Sequence, residues 1–391
     1  MIRRHLLLLA LCAGPALLSA QRIKLPASLQ DLEARAVKDS DDAAAQYNVA
    51  LAYWNAKRWD DADSAFHRAI RLDARFAPAY IGLAYLPYAE RSSLGDEVVE
   101  HEVPDAWKPK VKASDEMLTR ALIIDPLADL RLAGAARASS QAAQDALKYW
   151  YGEWAADYEE GRDYYYNGEF DKAYNDFQRV FNEMKNGESW NILLYYHGLA
   201  AAQVGKNDEA LADFQKLLGR YEGFEATQKD STLQVPLKTN DYRYIVGVML
   251  ERNGKLNDAI DAYREAARND LGLFMAHVHL ANMYEQHAMW PQAIRERQEA
   301  ANANPDDPSL QLDLGETYVL AGQWQDAEKA LKDAEAGNPR DARAPYYLGV
   351  VEMQLNEKDA ARNELTRFIA IAPSRYQRQV SDAKKRLDSL H

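Results

Sequence analysis

The 391-residue chain has a single cysteine, Cys12. Beyond it no disulfide framework, zinc-thiolate site or thiol nucleophile is available. Runs of β-branched residues are almost absent. So are Gly-x-Ser-x-Gly elbows, phosphate-cradling Gly-rich loops and His-Glu-x-x-His pairs, which leaves the common signatures of nucleophilic, nucleotide and metalloprotease chemistry unfilled. Positive charge is also short: 47 Lys and Arg stand against 60 Asp and Glu, a formal charge of −13. A surface of that sign releases few counterions from duplex nucleic acid and is repelled by an anionic membrane. The one long apolar run, Leu6 to Leu18, is broken by Gly14 and Pro15 and falls short of the roughly 20 residues a membrane span requires.

That run has other features. Arg3, Arg4 and His5 precede it and Ser19-Ala20 follow it, the order of charged, apolar and cleavage regions in a secretory signal. Residues 1–20 are therefore expected to be a signal peptide cleaved near Ala20, and the mature protein to be periplasmic or secreted. An uncleaved anchor and a lipid-modified Cys12 are the alternatives; Leu11 is larger than lipid processing usually accepts. The remainder is a soluble helical composition, 27% charged and 47% hydrophobic. Its length calls for several domains or one elongated array.

Self-similarity favours the array. Segments beginning at Asn240, Phe274, Pro308 and Ala342 follow one another at a spacing of 34, and further copies begin at Ala43, Ala77, Trp154 and Asn191. The eighth residue of each copy is small: Ala50, Ala84, Gly161, Gly198, Gly247, Ala281, Gly315 and Gly349. The twentieth is alanine in seven, Ala62, Ala173, Ala210, Ala259, Ala293, Ala327 and Ala361. Two helices that cross closely need small side chains where their backbones meet, and this spacing puts one such position on each arm of a hairpin. Gly168, Gly205, Gly254 and Gly322 end the first helix; Trp59, Phe170, Leu256, Trp290 and Trp324, two places beyond the turn position, suit closure over the turn. Pro126, Pro305, Pro339 and Pro373 break the chain after the second helix.

With Phe66, Phe177, Phe214 and Tyr263 four places after the alanine, the pattern resembles the tetratricopeptide repeat, a helix-turn-helix unit of 34 residues. The resemblance covers most of residues 43–375 and implies an all-α fold, a right-handed α-solenoid of stacked hairpins. It divides the chain into a lead-in over 21–42, two units over 43–126 with residues 90–110 inserted, and an out-of-phase stretch over 127–153 that is a degenerate repeat or one long helix. Two units follow over 154–224, an insertion over 225–239, four units over 240–375, and a capping helix over 376–391. Arg297 stands where an apolar residue is usual and Glu352 replaces an aromatic one.

In such arrays the second, fifth, ninth and twelfth positions of the first helix line the concave face. Carried over, the fifth position is Tyr47, Tyr158, Tyr195, Tyr244 and Tyr346, and Trp54, Tyr85, Tyr88 and Tyr165 fall at ninth or twelfth positions. On this resemblance the nine rings are the candidate partner-binding residues, since amphipathic rings are common binding hot spots; the same rings equally suit packing between neighbouring first helices. Tyr, Leu and Val occupy most places where family members that grip a C-terminal carboxylate carry Lys, Asn and Arg, so that clamp is not expected. No catalytic set, cofactor or metal site is expected. His277 and His279, two apart on a helix, point to different faces; His287 is read as an ordinary surface or core histidine. Ser381 and Lys384 read as solvated surface, and the acidic stretch from Asp96 to Asp105 lacks calcium-loop spacing. The expected function is that of an exported scaffold holding a peptide or partner protein in an envelope assembly. A carbohydrate-binding module and an enzyme built from the two insertions are the alternatives.

Overall fold

The computed structural model describes residue 25 and residues 27–93, 108–128, 153–183, 191–227 and 239–390. The expected signal peptide, most of residues 127–153 and the interiors of both insertions lie outside them. Eighteen α-helices and no strand occur among the described residues. They are α1 (Leu29–Lys38), α2 (Ala43–Asn55), α3 (Trp59–Leu72), α4 (Ala77–Ser93), α5 (Lys108–Ile124), α6 (Glu153–Tyr166), α7 (Phe170–Glu183), α8 (Asn191–Gln203) and α9 (Asn207–Thr227). Then come α10 (Thr239–Arg252), α11 (Leu256–Asn269), α12 (Phe274–Gln286), α13 (Trp290–Ala303), α14 (Pro308–Leu320), α15 (Trp324–Gly337), α16 (Arg343–Gln354), α17 (Lys358–Ile371) and α18 (Gln377–Ser389).

The chain forms two compact units. One comprises Met1–Ile70 with Arg75–Ala262, the other Arg71–Ala74 with Tyr263–His391. In each, a helix packs on the next in sequence and first helices also meet across repeats, as α6 meets α8 and α14 meets α16. The small-residue frame explains the close crossings. All seven twentieth-position alanines are wholly buried. A Cβ added to Gly315 or Gly349 would lie 2.6 Å from Leu331 or Leu365, and one added to Gly161 would lie 2.9 Å from Phe177. First helices are enclosed on both sides: ten of the thirteen residues of α8 are buried. Second helices present one apolar stripe, as α15 does with Ala327, Ala330, Leu331 and Ala334.

The turn is equally periodic. Its fifteenth position is left-handed in seven copies, at Lys57, Gly168, Gly205, Gly254, Ala288, Gly322 and Asn356. Each is followed by a backbone N–H that returns to the carbonyl five residues back, as Glu169 does to Tyr164 at 2.9 Å and Gln323 to Tyr318 at 2.9 Å. That closure satisfies carbonyls the helix end would otherwise strand. Helix starts are capped by Asp42 on Ala44 N–H and by Asp307 on Ser309 N–H, with Pro308 in the first turn.

Three boundaries differ from the sequence reading. The lead-in contains a helix, α1, which packs on α2 and accepts at the Ala36 carbonyl from Gln46 at 2.9 Å. The first insertion is narrower than 90–110, because α4 runs on to Ser93 and α5 begins at Lys108. Likewise α9 continues to Thr227, into the second insertion. The capping helix is present as α18, preceded by a single 3-10 turn, Ser374–Tyr376.

Candidate functional site: a charged first-helix wall

The nine-ring stripe is not a free surface. Trp54, Tyr85, Tyr158, Tyr165, Tyr195 and Tyr244 are buried; only Tyr47, Tyr88 and Tyr346 are half-exposed. The fifth-position rings lean onto the second helix of their own hairpin. Tyr47 meets Phe66 at 5.8 Å between centroids, Tyr158 meets Phe177 at 6.1 Å, and Tyr195 meets Phe214 at 6.4 Å. The twelfth-position rings close the turn, Trp54 against Trp59 at 6.2 Å and Tyr165 against Phe170 at 5.3 Å. Tyr346 is half-exposed but committed, its hydroxyl donating to Asp382 on α18 at 2.9 Å. Burial, with Asp115 nearby, pushes the Tyr88 phenol up to about 12. Helical spacing brings these residues to one side of the frame, and side-chain direction then turns them inward.

The histidines do not converge either. His277 pairs with Glu296 at 2.8 Å, His279 stacks on Tyr263 at 4.8 Å, and His287 is exposed.

The first helices of the C-terminal unit carry a different set at the ninth, twelfth and second positions. Asn282 and Glu285 on α12, Glu316 on α14 and Arg343 on α16 occupy them, with Asp313 and Thr317 on α14 between. Arg297, reaching in from α13, is 7% exposed in its side chain. It grips Glu285 through a two-bond fork, Nε to Oε1 at 3.1 Å and Nη2 to Oε2 at 3.2 Å, and its Nη2 also donates to Asn282 Oδ1 at 2.6 Å. Its Nη1 lies 3.6 Å from Asp313. Arg343 forks onto Asp341, Nη2 to Oδ2 at 2.7 Å, and its Nη1 is 4.0 Å from both Asp313 and Glu316. Glu316 Oε1 is buried without a hydrogen-bond partner, while its side chain as a whole is 27% exposed. The wall thus mixes tightly forked ion pairs with one partly exposed carboxylate whose inner oxygen makes no hydrogen bond. Sequence reading identified Arg297 as a departure but not its partners, because it searched these positions for rings rather than charges.

Burial, and then the Asp313 carboxylate, push Glu316 up to about 7 from an ordinary 4.5. The folded state therefore retains a proton that the unfolded chain releases. The stability this contributes is full below about pH 4.5 and is lost as pH rises through about 7. Glu316→Gln is expected to leave unfolding free energy nearly unchanged at pH 5 and to raise it by about 2 kcal/mol at pH 8. Urea unfolding at both values is the check, and an equal gain at both would contradict this reading of Glu316.

Stacked helix pairs with a charged first-helix wall define a helical-repeat scaffold for protein interaction. A tetratricopeptide repeat family model matches residues 195–272 and 312–376, and a second model of the same repeat matches residues 44–73. The chain is a tetratricopeptide-repeat protein. No curated protein matches it significantly. Among solved structures it is similar to the C-terminal part of a TPR repeat-containing protein from Cytophaga hutchinsonii, 14% identical over 58% of this chain and 84% of that one, TM-score 0.48. It is also similar to MamA from Desulfovibrio magneticus RS-1, 16% identical over 48% and 96%, TM-score 0.38. The TPR2AB domain of yeast Sti1, solved as a complex with pHSP90, is 13% identical over 61% and 96%, TM-score 0.26. Among the described residues no helix is long and apolar enough to cross a membrane.

Proposed function

We propose that this protein is an exported scaffold that holds an extended segment of a partner protein against the first helices of its C-terminal unit. The observation that carries the reading is Glu316, a partly exposed carboxylate whose inner oxygen makes no hydrogen bond and whose nearest guanidinium, that of Arg343, stands off at 4.0 Å. The side chain is 27% exposed, so a lysine, arginine or backbone N–H of a partner can reach its outer face, and a charge-assisted bond in a partly dry site is worth more than one on open surface. Glu285, Asp313, Glu316 and Asp341 outnumber Arg297 and Arg343, so a basic or neutral segment is favoured over an acidic one. The order of charged, apolar and small residues before Gln21 supports a periplasmic or secreted site of action in an envelope assembly.

Co-purification from the native envelope and culture medium tests this. Glu316→Gln keeps the fold and removes the negative charge, and is expected to weaken partner capture about tenfold, the loss of one buried charged bond. The captured mature chain is expected to begin near Gln21. Undiminished capture by Glu316→Gln disposes of the wall as the site, and a chain retained in the cytoplasm with Met1 in place disposes of export.

A further inference from the structure

A second cluster stands apart from that wall. Glu328 on α15, Glu352 on α16 and Glu357 at the start of α17 each place one carboxylate oxygen within 4.8 Å of the others. Acidic groups gather on many surfaces without a ligand; Glu352 is what distinguishes this gathering. It stands at a position where the repeat usually buries an aromatic ring, it is 4% exposed, and its Oε2 has no hydrogen-bond partner. A carboxylate so placed is costly unless something positive completes it.

We infer that Glu328, Glu352 and Glu357 form a binding site for a hard divalent cation, calcium above all, between the last two repeats of the C-terminal unit. Three oxygen donors and no nitrogen or sulfur select calcium, magnesium or manganese over zinc or copper. Magnesium dehydrates reluctantly and usually keeps several waters beside one or two carboxylates, so a site offering three carboxylates suits the larger ion.

Two ligands are held by the backbone. Asn356 is left-handed at φ 63°, and the Glu357 N–H returns to the Glu352 carbonyl at 2.8 Å, so one closed turn fixes both residues. Glu357 precedes α17 but its side chain makes no capping bond, which leaves the carboxylate available to an ion, and it is exposed, which gives the ion a way in. Glu328 arrives from the preceding repeat and pairs with Lys332 one turn on. One lysine against three carboxylates leaves a net negative site, and the lysine side chain, 55% exposed, can swing out to solvent. A bound ion would tie neighbouring hairpins together, a structural rather than chemical role.

Calorimetric titration of the full chain with calcium chloride, paired with thermal melts, decides the matter. One calcium is expected to bind with Kd about 10⁻⁴–10⁻³ M, the range of weak extracellular sites. Calcium at about ten times Kd is expected to raise the melting temperature by about 2–4 °C. Glu357→Gln, at an exposed and non-capping position, should weaken binding about tenfold, as loss of a charged ligand does. Glu352→Gln should abolish the calcium-dependent shift whatever it does to the calcium-free melt. Absence of heat and of any shift at about 5 mM calcium overturns the site, and so does binding that survives both substitutions. Magnesium binding more tightly than calcium overturns the assignment to calcium.

Discussion

Arg297→Met is expected to cost the C-terminal unit about 3–5 kcal/mol, the price of stranding buried charges. Methionine has a suitable volume and restores the apolar character that other copies show at this position with Phe177, Phe214 and Leu331. By hydrophobic pattern alone the substitution looks like an improvement. It fails because Glu285 and Asp313 are themselves largely buried and lean on the guanidinium, the first through a two-bond fork and the second at 3.6 Å. Removing the cation takes the guanidinium from two carboxylates and the Asn282 amide oxygen, and the Thr317 hydroxyl on Glu285 and Arg343, 4.0 Å from Asp313, do not replace its fork. The companion result is the informative one. Arg297→Met combined with Glu285→Gln and Asp313→Asn should recover most of the loss, since replacing a buried ionic set as a whole is often neutral. Urea unfolding of the single and triple variants supplies both numbers. A single-variant loss under about 1 kcal/mol would mean that the cluster behaves like an exposed pair.

This cluster also marks where sequence reading stopped. The period of 34, the buried alanines and the four turn glycines are legible because each is a local steric demand: a close crossing admits only a small side chain, and a left-handed residue favours glycine. Lys57, Ala288 and Asn356 take the same left-handed conformation without that signature, and only their place in the frame reveals them. The rings were located but not oriented. Spacing assigns Tyr158 and Tyr195 to one stripe of the first helix, whereas contact with Phe177 and Phe214 decides that they point into the hairpin. Arg297 and Glu352 stood out as polar residues in apolar places. Their partners lie on other helices, Glu352 with Glu328 from the preceding repeat, and no periodicity within a single copy connects them. Helix α1 was missed for a related reason: it belongs to no repeat, and its place depends on packing against α2.

Phe177→Ala is the corresponding test of the N-terminal unit, with an expected loss of about 3–5 kcal/mol for a fully buried phenylalanine. The ring has no exposure. It fills the space left by Gly161, where a Cβ would come within 2.9 Å of it, and it contacts Tyr158 and Tyr196 at 6.1 Å between centroids. Those two tyrosines, with Tyr166, surround Arg162, whose guanidinium carbon sits 5.5, 5.2 and 5.9 Å from the rings of Tyr158, Tyr196 and Tyr166. Arg162 is 2% exposed and ion-pairs with Glu159 at 2.8 Å, so the aromatic walls compensate much of its burial. Deleting Phe177 therefore opens a cavity and also loosens the enclosure of a buried cation, two penalties that act on the same pair of hairpins. Because repeat stability is a sum of neighbour terms, the damage should stay local. Hydrogen exchange resolved over α6 to α8 should lose protection at lower urea than the helical signal of the whole chain. Coincident transitions with an unchanged midpoint would show that the ring is not the keystone of this region, and that Arg162 is held by its aromatic neighbours without support from behind.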